Sequence, residues 1–204
     1  MLTLLTILVP THDRPKEVRT ALRSLNKIQL PFKVIINCDD KSIDESILKE
    51  FPKLNITFYR KKLWNWGEVY NFLISKVQTE YFYFLEDDDT INTSFDFLES
   101  NGPDYYFGYY NPHKRENTNI IKIRKWFQKL IGSTHTEIFE MNPEPKDFIH
   151  FQLGQLVFKK EKIKEVPITN DKYNDYYLFK DNPGTVICLD KVLYSQGLSH
   201  YSIS

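Results

Sequence analysis

Short apolar runs and amphipathic segments alternate along the first ninety residues of the chain. Residues 3–9 form a continuous apolar run rich in β-branched side chains, which is typical of a strand covered on both faces. After this run, Pro15 suits a first helical turn, and Val18, Leu22 and Leu25 recur on one helical face. Similar patterns predict strands at 33–38, 55–59 and 80–86 and helices at 44–51 and 67–77. This alternation predicts an α/β fold with a mostly parallel central sheet flanked by helices.

The pattern changes at about residue 100. Further strands are predicted within 103–110, 154–160 and 184–195, and a short helix within 173–181. Residues 113–147 are polar and partly basic, and Ile120, Ile123, Phe127 and Leu130 share one helical face. A helix docked on the sheet is the preferred interpretation of this face, and a helix on a membrane surface or against a substrate is the alternative. Because no repeat or clear linker interrupts the chain, a single domain over 1–204 is predicted.

Polar motifs follow three of the predicted strands directly. They are PTHDR at 10–14, DDKSID at 39–44 and EDDD at 86–89. In a parallel sheet the carboxyl ends of the strands meet at one edge, where ligands bind. We therefore expect the three motifs to converge on one site.

The third motif places four carboxylates in succession, from Glu86 to Asp89. Like charges about 4 Å apart repel by roughly 1 kcal/mol even in water, so a cation would relieve the strain. Alternation along an extended segment would point Glu86 and Asp88 one way and Asp87 and Asp89 the other. The alternative is a solvated acidic turn that caps a helix beginning near Ser94.

Composition narrows the function classes. Lys plus Arg number 27, as do Asp plus Glu, so net charge gives no reason to expect binding to nucleic acid or to an anionic membrane. Cys38 and Cys188 lie in apolar stretches outside any paired-cysteine motif, and two buried thiols are expected. The first ten residues lack the features of a signal peptide, and no apolar run is long enough for a membrane helix. A soluble, cytoplasmic protein without a transmembrane segment is therefore expected.

The three motifs, in this order and at these intervals, resemble those of GT-A fold glycosyltransferases, especially the family 2 type. LTILVPTHDRPKEVRTALRSL is similar to the opening strand, the P-x-aromatic-N-R segment and the first helix of that family. CDDKSID resembles its D-D-G-S-x-D turn, with Lys41 in place of glycine, and FLEDDDTI resembles its D-x-D-D metal motif, with Glu86 in place of the first aspartate. The resemblance covers roughly the first 100 residues. It implies a GT-A domain with a nucleotide-sugar-binding half, 1–100, and an acceptor-binding half, 101–204.

The resemblance also implies a substrate class and a cofactor. The donor would be a nucleotide-diphosphate sugar, with UDP-sugar favoured, and the acceptor a hydroxyl group of a glycan or glycoconjugate. Mn²⁺ or Mg²⁺ would bind the diphosphate, since both cations prefer oxygen ligands. Asp88 is the expected metal ligand, with Glu86 or Asp87 near the ribose or bound through water. His200, in the position of a C-terminal histidine that completes the metal shell in many GT-A enzymes, is the second expected ligand; a surface histidine is its alternative.

Donor-binding residues carry over from the matching positions. Pro10, Thr11 and His12 would line the base, and Asp39 would accept a hydrogen bond from the imide N–H of uracil. The other expected donor-binding residues are Arg14 of the first motif and Asn65 and Gly67 of NWGEVYN, which resembles the N-x-G element of the family. The alternatives are a turn residue without a ligand for His12, and capping of a helix near Asp44 for Asp39.

The general base is expected in the second half. TNDKYNDYYL offers two N-D pairs where the family usually shows E-D, and Asp175 is preferred over Asp171, for which helix capping is the alternative. A single displacement with inversion would follow. A noncatalytic nucleotide-sugar-binding module is the main alternative function. A D-x-D-x-T phosphatase is disfavoured because Ile91 stands where its threonine is required, and a nucleotidylyltransferase because VPTHDRP contains no glycine.

Overall fold

The computed structural model describes residues 3–63, 65–111, 138–141, 153–163, 182 and 184–197. Its helices are α1 (Pro15–Ser24), α2 (Ile47–Glu50) and α3 (Trp66–Ser75), with 3-10 turns at Leu25–Lys27, Leu153–Gln155 and Lys160–Lys162. Its strands are β1 (Leu5–Thr11), β2 (Phe32–Cys38), β3 (Ile56–Tyr59), β4 (Tyr81–Phe84), β5 (Thr90–Ile91), β6 (Tyr105–Asn111), β7 (Ile138–Met141), β8 (Leu156–Lys159) and β9 (Gly184–Ser195).

These strands form one sheet in the order β3-β2-β1-β4-β8-β6-β9-β5, with β7 paired to β9. The first four strands are parallel to one another, as the alternation of strands and helices predicts. Beyond β4 the sheet is mixed, because β8 runs antiparallel to β4 and β6 while β6 and β9 are parallel. The predicted α/β fold with a central sheet and flanking helices is confirmed.

Both faces of the parallel half are covered by a helix. Leu5, Ile7 and Val9 of β1 lie in the core on the side of α1. Leu8, between them, lies in the second core, which includes Leu73 of α3. Every residue of β1 is buried, which explains why its sequence is a continuous apolar run without polar alternation.

Two predicted helices differ from the structure. The helix predicted at 44–51 is only the single turn α2, because Asp44 Oδ1 accepts a hydrogen bond from Ser46 N at 2.8 Å and forms a local turn in place of a helical start. The alternative interpretation of the acidic turn places a helix near Ser94, and the structure has none there. Phe95 there adopts φ 57°, in the left-handed region that interrupts a right-handed helix.

Parts of the second half lie outside the described residues, including the amphipathic stripe 120–130 and the helix predicted at 173–181. Within 113–147 the structure describes only β7, a strand that the sequence patterns did not indicate. Cys38 is a buried free thiol, as expected. Over the portion of the chain that is described, the helices are too short or too polar to cross a membrane.

Candidate active site

A cleft of about 410 Å³ opens at the carboxyl ends of the parallel strands. Its walls come from the segments after β1 and β2, from the start of α3 and from the acidic turn after β4. The lining residues are Pro10, Thr11, His12, Asp13, Arg14, Asn37, Asp39, Leu63, Asn65, Trp66, Val69 and Asp87. The three strand-end motifs therefore converge on one edge of the sheet, as predicted from the parallel topology.

Asp87 is the carboxylate of the acidic turn that lines this cleft, and it is buried. Thr11 Oγ1 donates a hydrogen bond to its Oδ2 at 2.8 Å, and Arg14 Nη1 donates to its Oδ1 at 3.1 Å. Burial raises the pKa of the Asp87 carboxyl above its ordinary value, while the Thr11 hydroxyl and the Arg14 charge oppose that rise. These contacts tie the turn after β4 to the turn after β1.

Asp39 and His12 are in direct contact at another part of the cleft wall. His12 Nδ1 lies 2.5 Å from Asp39 Oδ1, with the histidine side chain 63% exposed and the aspartate side chain 27% exposed. The hydrogen bond to Asp39 raises the pKa of His12 above its ordinary value. Asp39 does not cap a helix, so that alternative is wrong; its partner among the described residues is His12.

The loops beside this pair are held by residues that sequence patterns did not single out. Buried Asn37 donates from Nδ2 to Lys61 O and accepts at Oδ1 from Lys61 N, both at 3.1 Å. Arg60 donates to the main-chain carbonyls of Asp40 and Ile43. Together they fix the segment between β3 and α3 against the end of β2. A polar side chain at the end of an otherwise apolar strand is the signal that could have indicated Asn37.

Asn65 and Trp66 form the wall at the start of α3. Asn65 is the N-cap residue, and its side-chain oxygen accepts from Glu68 N at 2.9 Å. Trp66 is 56% exposed although it lines the cleft, and it is the one exposed large apolar side chain in the described part of the chain. An exposed indole at the mouth of a cleft is a surface suited to a planar base or the apolar face of a sugar.

We expect Asn65→Ala to lower the free energy of unfolding by about 1 kcal/mol, because α3 loses its cap. Asn65→Asp should restore most of that loss, since a carboxylate also caps a helix and favours its positive end. Denaturant unfolding of the three proteins measures both effects. An alanine variant as stable as the unsubstituted protein would contradict the capping role.

The rest of the acidic turn is fixed by the segment after β9. Asp89 is buried and its Oδ1 accepts from Gly197 N at 2.9 Å. Glu86 and Asp88 are partly exposed, whereas Asp87 and Asp89 are buried. The segment is not extended as expected, because Asp89 N donates to Glu86 O at 3.1 Å and closes a turn. An atom added at the Cβ position of Gly197 would lie 2.0 Å from Asp88 O, which shows how closely the two backbones approach.

We expect Gly197→Ala to destabilise the protein by about 1–3 kcal/mol, because the methyl group would overlap the Asp88 carbonyl oxygen. Relieving this overlap requires one of the two backbone segments to shift. The melting temperature should fall by roughly 2–12 °C. Lys191→Ala, in the preceding strand β9, is the control, since it removes only surface contacts of the ammonium group, an ion pair with Asp96 and a cation–π contact with Phe97. Thermal unfolding by circular dichroism measures the difference, and equal melting temperatures for the two variants would contradict the close approach.

The carboxylates of the acidic turn fit a divalent cation only if a substrate supplies the remaining metal ligands. Among the described residues, no three His, Cys, Asp or Glu side chains are close enough to hold a metal by themselves. Mg²⁺ is usually bound by one or two carboxylates together with substrate phosphates, and Glu86 and Asp88 are partly exposed oxygen donors of this kind. The residues present therefore fit a cation completed by a diphosphate.

The structure brings most of the predicted donor-binding residues to the cleft. Those that line it are Pro10, Thr11, His12, Arg14, Asn65, Asp39 and Asp87. Gly67 is buried inside α3, and it does not line the cleft, nor do Glu86 and Asp88. Asp171, Asp175 and His200 lie outside the described residues.

The chain matches the family model described as glycosyl transferase family 2 over residues 6–165. The structure of S. aureus TarS 1–349 superimposes with a TM-score of 0.70 at 17% identity, covering 96% of this chain and 60% of that one. For the complex of that protein with UDP-GlcNAc the TM-score is 0.69 at 18% identity, covering 99% of this chain and 61% of that one. The chain thus spans about three-fifths of these solved proteins. No curated protein sequence matches it.

Proposed function

The chain belongs to glycosyl transferase family 2, and from this premise we propose that it transfers a sugar from a nucleotide-diphosphate donor to a hydroxyl acceptor. The supporting observation is the cleft at the carboxyl ends of the parallel strands, which is lined by both Asp39 and Asp87. Asp39 follows β2 and Asp87 follows β4, the two strands that flank β1. A UDP-sugar with a hexosyl or N-acetylhexosaminyl group is the proposed donor. The similar fold of S. aureus TarS, solved with UDP and with UDP-GlcNAc, supports this choice.

The base and ribose would lie on the side of the cleft formed by the ends of β1 and β2. Asp39 offers an acceptor for an imide N–H, and Pro10, Thr11 and His12 form the adjoining wall. The exposed indole of Trp66 offers an apolar surface opposite a base or sugar. Arg14, with its charge paired to Asp87, fixes the wall nearest the acidic turn.

We propose Asp88 as the metal ligand, with Glu86 beside it and His200 as a further ligand. Gly197 packs on the backbone of Asp88, and His200 follows Gly197 by three residues, which supports a shared shell. Bound Mn²⁺ or Mg²⁺ would neutralise the diphosphate and stabilise it as it leaves. By holding the cation, the carboxylates of Asp88 and Glu86 would also orient the donor diphosphate.

The proposed general base is Asp175, with Asp171 as the alternative. An ionised carboxylate within hydrogen-bond distance of the acceptor hydroxyl would remove its proton as the hydroxyl oxygen attacks the anomeric carbon. We propose the second half of the chain, 101–204, as the acceptor side, and a glycan or glycoconjugate as the acceptor. Asp175→Asn and Asp171→Asn identify the base. The aspartate whose asparagine variant keeps donor binding but loses transfer is the general base.

The test is a transfer assay with a panel of UDP-sugars and Mn²⁺, with product stereochemistry read by NMR of the anomeric proton. Transfer with inverted configuration supports the proposal, and retained configuration would contradict the single displacement. The competing function is a noncatalytic module that binds nucleotide sugars. Tight UDP binding with neither transfer nor donor hydrolysis across a broad acceptor panel would favour that module.

A further inference from the structure

The His12–Asp39 pair joins two different strand ends within the cleft. His12 follows β1, Asp39 follows β2, and His12 Nδ1 lies 2.5 Å from Asp39 Oδ1. Cys38 Sγ lies 3.5 Å from the His12 main-chain carbonyl, a weak donor contact that ties the two segments together through the backbone. His12 is therefore tethered by its side chain and its main chain to the segment that carries Asp39.

Asp39 Oδ1 accepts the hydrogen bond from His12, whereas Asp39 Oδ2 takes no part in this contact. Within the described portion of the chain, the sole hydrogen-bond partner of the Asp39 side chain is His12. The side chain is 27% exposed and lines the cleft. Oδ2 is thus an acceptor available at the cleft, and rotation of the carboxylate is restrained by His12.

We propose that His12 is a positioning residue: by donating from Nδ1 to Asp39 Oδ1 it leaves Oδ2 as a fixed acceptor that selects uracil over cytosine. The inference rests on the proposed function, in which a nucleotide base lies against Asp39. Uracil presents an N–H at ring position 3, which a carboxylate accepts. Cytosine presents a bare nitrogen there, which a carboxylate repels. A phenyl ring at position 12 could stack on a base but has no donor with which to hold Asp39.

The charge on His12 should then affect donor affinity. The charged groups facing it among the described residues are Asp39, Asp13 and Asp40. The hydrogen bond to Asp39 favours the protonated form most strongly, the charges of the three carboxylates add to it, and desolvation of the ring opposes them. These groups raise the pKa of His12 above its ordinary value, so the charged, stronger hydrogen bond is present below that pKa and is lost as pH rises through it. Affinity for UDP should fall over the same range.

The experiment measures dissociation constants for UDP and CDP by titration calorimetry from pH 5.5 to 8.5 at fixed Mn²⁺. Two variants separate the roles of the ring and the donor: His12→Phe keeps a flat ring without a donor, and His12→Asn keeps an uncharged donor in a similar position. The ionisation of the ligand phosphate, with a pKa near 6, is common to all three proteins. The difference between the unsubstituted protein and His12→Phe therefore isolates the histidine.

Between pH 5.5 and pH 8.5 we expect the UDP affinity of the unsubstituted protein to fall by roughly 3- to 10-fold more than that of His12→Phe. This factor corresponds to the free energy needed to hold one side chain in place. His12→Phe should also lose preference for UDP over CDP by a similar factor, and His12→Asn should recover that preference without the pH dependence. Circular dichroism confirms that the variants are folded.

An unchanged UDP to CDP ratio in His12→Phe, or the same pH profile in all three proteins, would overturn the positioning role while leaving the proposed function intact. If the unsubstituted protein binds no nucleotide diphosphate at any pH, the proposed function fails and this inference fails with it.

Discussion

Asp88→Asn is expected to lower the rate of sugar transfer by about 10²- to 10⁴-fold, with little loss of stability. A bound cation contributes several kcal/mol to the stabilisation of a leaving diphosphate, and each 1.36 kcal/mol corresponds to a factor of ten. Asparagine keeps the size of the side chain but removes the charge that holds the cation. Because Asp88 is partly exposed and stands between Asp87 and Asp89, neutralising it also relieves repulsion within the turn.

The measurement is kcat/KM for a UDP-sugar at several Mn²⁺ concentrations, together with UDP affinity with and without the metal. Asp96→Asn is the matched control, because Asp96 is an exposed carboxylate of the following segment that contacts Lys191 and Ser94 and lies outside the acidic turn. The control should behave as the unsubstituted protein does. An Asp88→Asn variant that still needs Mn²⁺ and turns over at a normal rate would exclude Asp88 as the metal ligand.

Arg14→Met is expected to have the largest effect on stability, a loss of about 2–3 kcal/mol. Asp87 is buried, and without the guanidinium its carboxylate would keep only the Thr11 hydroxyl among its described partners. Removing one partner of a buried ion pair costs several kcal/mol of folding free energy. Because Arg14 is partly exposed, we expect a loss at the lower end of that range. The melting temperature should drop by roughly 4–12 °C.

The loss caused by Arg14→Met should depend on pH. A carboxyl group whose pKa is raised in the folded state costs stability above that pKa, and the cost disappears as pH falls below its ordinary value. Burial already raises the pKa of Asp87, and removing Arg14 removes an opposing charge. The stability gap between the variant and the unsubstituted protein should therefore narrow in acid. A gap that is constant from pH 4 to pH 8, measured by denaturant unfolding, would contradict a role for the Asp87 charge.

The arrangement of the site was predictable where local pattern determines structure. β1 is buried throughout and mostly apolar because both its faces are covered. The motif after it had to lie at the same edge as the motifs after β2 and β4. The carboxylates from Glu86 to Asp89 do alternate in exposure, but they do so in a turn closed by a hydrogen bond from Asp89 N to Glu86 O at 3.1 Å, which the two-residue period of an extended chain does not describe.

Other features depend on contacts between residues far apart in the sequence. The partner of Asp39 is 27 positions away at His12, and the partner of Asp87 is 73 positions away at Arg14, so neither pairing can be read from spacing. α2 is shorter than its apolar pattern predicts because the Asp44 side chain competes for a backbone N–H. The exposure of Trp66 reflects its place at the mouth of a cleft, which periodicity within α3 does not reveal.

The most direct test of a metal-assisted nucleotide-diphosphate site is thermal unfolding with UDP, GDP and CDP, each with and without Mn²⁺. A ligand at about 100 times its dissociation constant adds roughly 2.7 kcal/mol, which for a domain of this size raises the melting temperature by roughly 5–10 °C. We predict such a rise with UDP and Mn²⁺ together, a much smaller one with UDP alone, and none with the pair in Asp88→Asn. A melting temperature that no nucleotide changes, with or without the metal, would contradict the proposed donor site.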